Sequence, residues 1–200
     1  MRKEVDRRGF IAVAGAGYLA FCRSVGGQFG PERPGEGKLG NPAIKGFSSY
    51  GRGLYYFDPA GLFVEPGTTV QWLGIGRRSM AAFHPSNNNH ELRIPERAEP
   101  FNSAKAATPG GGVEWKFEVE GTYDYYCELQ ESLGMVGRII VGKPGGPGEK
   151  PPGYGNREGR SVMYPDAERL LAYLKSEEIV RKRSIPYPVQ LFERKFPTLR

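Results

Sequence analysis

Donors for a metal or a disulfide are scarce in this chain, which has two cysteines and two histidines in 200 residues. Long hydrophobic runs are also missing. The apolar stretch at residues 10–21 is shorter than the roughly 20 residues a membrane-spanning helix needs. Charge of one sign does not dominate: 28 Lys and Arg stand against 22 Asp and Glu. The net +6 divides into +2 for residues 1–22, −1 for residues 23–142 and +5 for residues 143–200. A neutral middle with basic ends excludes a nucleic-acid-binding core. There is no set of nucleophile, base and orienting group and no phosphate-cradling glycine loop, which excludes hydrolytic and group-transfer catalysis.

Glycine and proline are plentiful, 29 and 17 residues, and they point to turns and linkers rather than a helical bundle. A hydrophobic content of 38% suffices for one modest core. The chain opens MRKEVDRRGFIAVAGAGYLAFC, a charged start followed by a short apolar run. The pair Arg7-Arg8 before Gly9 and Phe10 has the form of a twin-arginine export signal. A buried N-terminal helix is the alternative, but Gly15 and Gly17 interrupt it and the paired arginines favour export. Leu19-Ala20-Phe21-Cys22 faintly resembles a lipoprotein box, although Phe21 is large for one. Residues 1–27 are therefore expected to be a signal segment and residues 28–46 a Gly/Pro-rich linker. The mature protein then keeps Cys127 as its only thiol, which is either buried and inert or present for chemistry.

Order is expected from about Phe47. Leu62 and Val64 precede a Glu-Pro-Gly turn, and Val70 and Trp72 alternate with Thr69 and Gln71, the pattern of strand, turn and strand. Residues 79–84 read as a further strand. Val113, Trp115, Phe117 and Val119 fall on one face of a strand while Glu114, Lys116, Glu118 and Glu120 fall on the other. Residues 122–127 and 136–141 follow as strands. About seven short strands between turns indicate an all-β sandwich or barrel of about a hundred residues.

Four blocks in order, FDPAGLFVEPGTTVQW, RIPERAEPF, FEVEGTYDYYC and GMVGRIIVG, resemble the cupredoxins of the plastocyanin and halocyanin type. The resemblance implies a Greek-key β-sandwich over residues 47–142. It also implies a type 1 copper held by two imidazoles, a thiolate and a weak thioether, one-electron transfer and a redox protein partner, on a chain whose Arg7-Arg8 signal already points to an exported location on the periplasmic or extracellular side. Cys127 and Met135 match the thiolate and thioether positions. The two imidazole positions read Arg78 and Gln130. A guanidinium has no lone pair to offer, and an amide oxygen is a poor match for copper beside a thiolate.

Rebuilding the imidazole pair would need both His84 and His90. His84 is six residues from Arg78, roughly 20 Å along a strand, and its ordinary reading is a satisfied ring beside Pro85. His90 sits in the loop NNNHELRIP and could reach elsewhere. Without copper, Cys127 and Met135 are core side chains. Arg78 beside Cys127 would favour the thiolate, unless Glu128 or Glu131 neutralises it. Tyr123, Tyr125 and Tyr126 are read as core packing with a tyrosine-corner hydrogen bond, with electron routing as the sharper alternative.

Residues 143–163 form a Pro/Gly linker in this reading, and residues 164–200 a basic tail with one amphipathic helix. Pro165 suits a first helical position, Asp166 and Glu168 a first turn, and Arg181, Lys182 and Arg183 a last turn. Ala167, Leu170, Leu171 and Leu174 give an apolar stripe that either docks on the sandwich or meets a partner or a membrane surface. Two functions follow: a copper-free cupredoxin-like binding module, favoured by the two altered positions, or a copper electron carrier with a rescued or atypical site.

Overall fold

The computed structural model describes residues 40–49, 53–74, 79–103, 112–156 and 162–192; the expected export signal, Cys22 and Arg78 lie outside them. The strands are β1 (Ala43–Ser49), β2 (Leu54–Asp58), β3 (Gly61–Val64), β4 (Thr68–Leu73), β5 (Ala81–Ala82), β6 (Val113–Phe117), β7 (Gly121–Tyr126), β8 (Val136–Val141) and β9 (Ser184–Ile185). They form two mixed sheets, ordered β2-β1-β4-β6 and β5-β7-β8-β3-β9. β1 runs parallel to β4, and β3 parallel to β8. The sheets face each other across a core that holds Ile44, Phe57, Val70, Trp72, Phe117, Tyr125 and Ile139. The all-β sandwich expected from the strand spacing is the fold observed.

Alternation along β7 divides its side chains between two cores. Tyr123, Tyr125 and, just past the strand end, Cys127 join the inner core, while Tyr126 joins a second cluster on the outer side. Gly137 opposes Tyr125 across the ladder, and a Cβ there would sit 2.5 Å from the Tyr125 Cζ, so only glycine admits the ring.

Four sequence expectations need correction. Order starts before Phe47: Ala43 and Ile44 pair with Gln71 and Trp72, and Ile44 is buried, because β1 is pinned between two neighbours rather than carried by its own pattern. The strand expected over 79–84 shrinks to Ala81–Ala82. The Phe83 N–H turns to Asp124 O (3.0 Å), and a tight turn follows in which the Asn87 N–H bonds His84 O (2.9 Å) across Pro85. The Pro/Gly linker is instead a packed strap with a 3-10 turn at Pro147–Glu149.

The single tail helix is two, α1 (Pro165–Tyr173) and α2 (Ser176–Lys182), followed by β9 and a last turn α3 (Val189–Phe192). The break has a local cause: Arg138 Nη1 takes the Leu174 carbonyl (2.8 Å), and the Ser176 hydroxyl turns to Glu149 (2.6 Å).

The tail docks on its own sandwich. Ala167, Leu170, Leu171 and Leu174 are all buried, and with Met163, Ile179 and Ile185 they cover Phe63, Phe83, Tyr126, Val136 and Ile140 on the outer face of the β7-β8-β3 sheet. Burying each large side chain stabilises the fold by about 1.5–3 kcal/mol, so this second core rivals the first in consequence. Its basic end is engaged locally: Lys182 pairs with Glu178 (2.8 Å), and Arg183 lies over the Phe63 ring (3.7 Å) and reaches Glu65 (3.2 Å). Among the described residues, no helix is long and apolar enough to cross a membrane.

Charges buried under the strap hold it down. Asp124 on β7 faces Arg138 on β8 and accepts from Arg138 Nε (2.7 Å), Arg138 Nη2 (2.9 Å) and Arg93 Nε (2.8 Å). The two guanidiniums then donate to the strap: Arg93 to Gly148 O, Lys150 O and Pro151 O, and Arg138 to Gly148 O. Glu91 bonds Arg93 and accepts the Gly153 and Gly155 N–H groups. Glu149 accepts from the Thr122 and Ser176 hydroxyls. Burial works against the charge on Arg138, but Asp124 and Glu149 outweigh it and hold its pKa above the ordinary arginine value.

Candidate functional site

Cys127 follows β7 directly, and Met135 precedes β8, so the hairpin between two central strands presents both residues at one end of the sandwich. The loop closes on its own backbone. The Cys127 N–H donates to Met135 O (2.9 Å), the Met135 N–H to Gln130 O (3.1 Å), and the Gln130 N–H to Cys127 O (3.1 Å). Glu131–Leu133 makes a 3-10 turn that ends at Gly134, whose φ of 79° is the left-handed region glycine favours. Cys127 and Met135 are fully buried in the inner core.

The Cys127 Sγ lies 2.8 Å from Gln130 Oε1, with the thiol donating. Three of the four positions singled out in the sequence, Cys127, Gln130 and Met135, therefore meet in one loop. The fourth, Arg78, lies outside the described residues, as does any contact it makes with Cys127. The two acids named as candidates to neutralise Arg78 have neighbours of their own: Glu131 pairs with His90 (3.2 Å), and Glu128 accepts from Asn102 (3.3 Å).

The histidines do not assemble at the thiol. His84 Nδ1 accepts the Ser86 N–H (3.0 Å) and lies 2.8 Å from Ser86 Oγ, the satisfied ring expected beside Pro85. His90 is buried, with its ring edge on Phe83 (5.1 Å) and Tyr126 (4.5 Å). Those are outer-face residues of the β7 sheet, whereas Cys127 points to the inner core. Among the described residues, no group of three His, Cys, Asp or Glu side chains could hold a metal ion.

The tyrosines are packing groups. The Tyr123 hydroxyl donates to Val119 O (2.6 Å), the tyrosine-corner bond the sequence suggested. Tyr125 sets its ring edge-on to Trp72 (5.6 Å, 82°) and tilted on Phe57 (4.9 Å). Burial pushes the Tyr123 phenol up to about 12, and burial raises Tyr125 and Tyr126 as well, so all three are neutral across the physiological range.

Sequence reasoning missed the Asp124–Arg93–Arg138 network and the His90–Glu131 pair. The first had a signal: a lone acid in TYDYY and a lone base in VGRIIV, each inside a strand otherwise apolar enough to be buried. The second had none, because His90 and Glu131 are 41 positions apart, in two loops without period.

Comparison with known proteins places this geometry in context. Residues 48–142 match the family described as copper binding proteins, plastocyanin/azurin family. A plastocyanin of Scenedesmus fuscus is 30% identical over 92 residues, covering 44% of this chain and 89% of that protein. A halocyanin of Natronomonas pharaonis is 31% identical over 91 residues, covering 46% of this chain and 51% of that protein. Among solved structures, a pseudoazurin from Sinorhizobium meliltoi superposes with a TM-score of 0.46 at 21% identity, covering 67% of this chain and 95% of that one.

Proposed function

The chain belongs to the copper-binding plastocyanin/azurin family, and from that premise we propose that it is an exported member whose metal position has become a hydrogen-bonded structural one, leaving a copper-free binding module. The observation that carries this reading is the 2.8 Å approach of Cys127 Sγ to Gln130 Oε1. Gln130 stands where the second imidazole belongs, and its amide accepts from the thiol that would otherwise bind the metal. Met135 keeps the thioether position as a core side chain. The donor set fits a type 1 centre poorly: Gln130 offers a hard oxygen, and Arg78 offers no lone pair. No catalytic step is assigned to the module.

Family membership supports the other reading, a copper-bound carrier of single electrons. One titration separates the two. The purified folded chain, given Cu(II), is expected to show no intense thiolate-to-copper band at the red end of the visible spectrum and no stoichiometric bound metal. The double variant Arg78→His with Gln130→His is expected to show both. A blue parent with one copper per chain overturns the proposal, and a colourless double variant overturns the placement of Arg78.

Export rests on Arg7-Arg8 at the start of the apolar run. Replacing both arginines with lysine is expected to hold the protein in the cytoplasmic fraction; unchanged export of that variant would remove the twin-arginine assignment.

A further inference from the structure

A cavity of about 580 Å³ opens between the 127–135 loop and the chain entering α1. One wall is Glu128, Leu129 and Glu131; the other is Val162 and Tyr164, with His90 on the floor. The second wall lies beyond residue 142, where the family match ends, so this groove is built by the chain's own extension. Its size is within the roughly 300–1,000 Å³ range of binding clefts.

Two features mark it as a recognition surface. Leu129 is 65% exposed and Val162 61%, the two most exposed large hydrophobic residues among those described, and Tyr164 beside them is 46% exposed. All three line the same groove, so one apolar partner surface laid in it would cover them together. In a chain of net charge +6, the groove is lined by two carboxylates and by no Lys or Arg among the described residues. Glu131 is only 5% exposed; its Oε2 meets His90 at 3.2 Å, and its Oε1 has no hydrogen-bond partner among the described residues. A buried carboxylate with one unsatisfied oxygen favours a nearby cation.

We propose that this groove docks a partner protein through a segment that sets a lysine or arginine side chain among apolar residues, the cation beside Glu128 and Glu131 and the apolar flanks on Leu129, Val162 and Tyr164. The partner is defined by that chemistry, as an apolar-basic segment of the kind acidic, aromatic-rimmed grooves select. The proposal deepens the binding-module reading and rests on it. The copper titration reads Cys127 and Gln130 alone, so failure of one reading is distinguishable from failure of the other.

The test is selection of a random twelve-residue peptide library, displayed on phage, against the full chain. Glu128→Lys and Leu129→Asp, both on exposed side chains, serve as counter-targets whose thermal melts are expected to match the parent. Recovered peptides are expected to be enriched in Lys or Arg next to aliphatic or aromatic residues. A synthetic copy of the best one is expected to lose at least tenfold in affinity against either variant and to weaken with added salt. Recovery of acidic peptides, of peptides indifferent to both variants, or of none overturns the proposal. Full displacement of the peptide by n-butylamine assigns the groove to a free amine instead. A concentration-dependent dimer in sedimentation that Leu129→Asp abolishes assigns it to a second copy, and either result overturns the partner.

Discussion

Asp124→Ala should lower stability by about 3–5 kcal/mol, the range for removing one partner of a buried ion pair. For a chain of this size that corresponds to a fall of roughly 6–20 °C in melting temperature. Asp124 is fully buried and accepts from both Arg93 and Arg138, whose side chains are 0% and 7% exposed. Removing it leaves two guanidiniums under the strap with Glu91 as the remaining carboxylate bonded to Arg93. Replacing the whole triad with apolar residues, which restores many buried ion networks, should not restore this one. Arg93 and Arg138 also satisfy the carbonyls of the buried Gly148 and Leu174, and a leucine or methionine leaves those two acceptors without donors. Near-UV circular dichroism melts of Asp124→Ala and of Asp124→Leu with Arg93→Met and Arg138→Met check both statements. Recovery of the triple variant to the parent melting temperature would reduce the network to a simple charge balance.

The sandwich was legible because its strands carry their own pattern. Val113 and Phe117 fall on the buried side of β6 as their spacing requires, and Leu170, Leu171 and Leu174 announce a docking stripe before any partner face is known. The tyrosine corner was expected of the Tyr123, Tyr125 and Tyr126 cluster because Greek-key sandwiches use one, and it is Tyr123 that makes it. The strap was not legible, since residues 143–156 are pinned largely through backbone groups, and the Arg93 that donates to three of their carbonyls lies 55 to 58 positions away. A Gly/Pro-rich composition reads the same whether it floats or is pinned, and the information sat in Asp124, Arg138 and Arg93 instead. The break after Tyr173 was hidden for the same reason: nothing in YLKSEE forbids a continuous helix until Arg138 claims the Leu174 carbonyl.

The candidate site divides along similar lines. The positions of Cys127, Gln130 and Met135 could be aligned from sequence, because they sit in one short loop between two readable strands. That Gln130 turns its oxygen onto the thiol is a rotamer choice that no spacing reports. Histidine rescue could be weighed only by reach. It is the parity of β7, which puts Tyr126 and its neighbour His90 on one face and Cys127 on the other, that separates the imidazole from the sulfur.

The largest effect is expected from ending the chain at Gly142, where the family match stops. The plastocyanin comparison, which covers 89% of that protein with 44% of this chain, invites the view that residues up to 142 form a self-sufficient domain. The outer face of the second sheet argues otherwise. Without the tail, Phe63, Phe83, Tyr126, Val136 and Ile140 lose their cover. At about 1.5–3 kcal/mol each, the loss is on the order of 7–15 kcal/mol, comparable to the whole stability of a typical domain. Arg93, Asp124 and Arg138 would lose the strap as well, together with the carbonyls that complete their hydrogen bonding. The truncated chain is therefore expected to aggregate or to bind a hydrophobic dye without a cooperative near-UV transition. Residues 143–200 supplied as a separate chain should partly restore solubility; alone they should be unstructured, because helices of nine and seven residues are too short to persist in water. A monomeric, cooperatively melting chain ending at Gly142 and within a few degrees of the full protein would show that the tail is an appendage to the sandwich rather than its third layer.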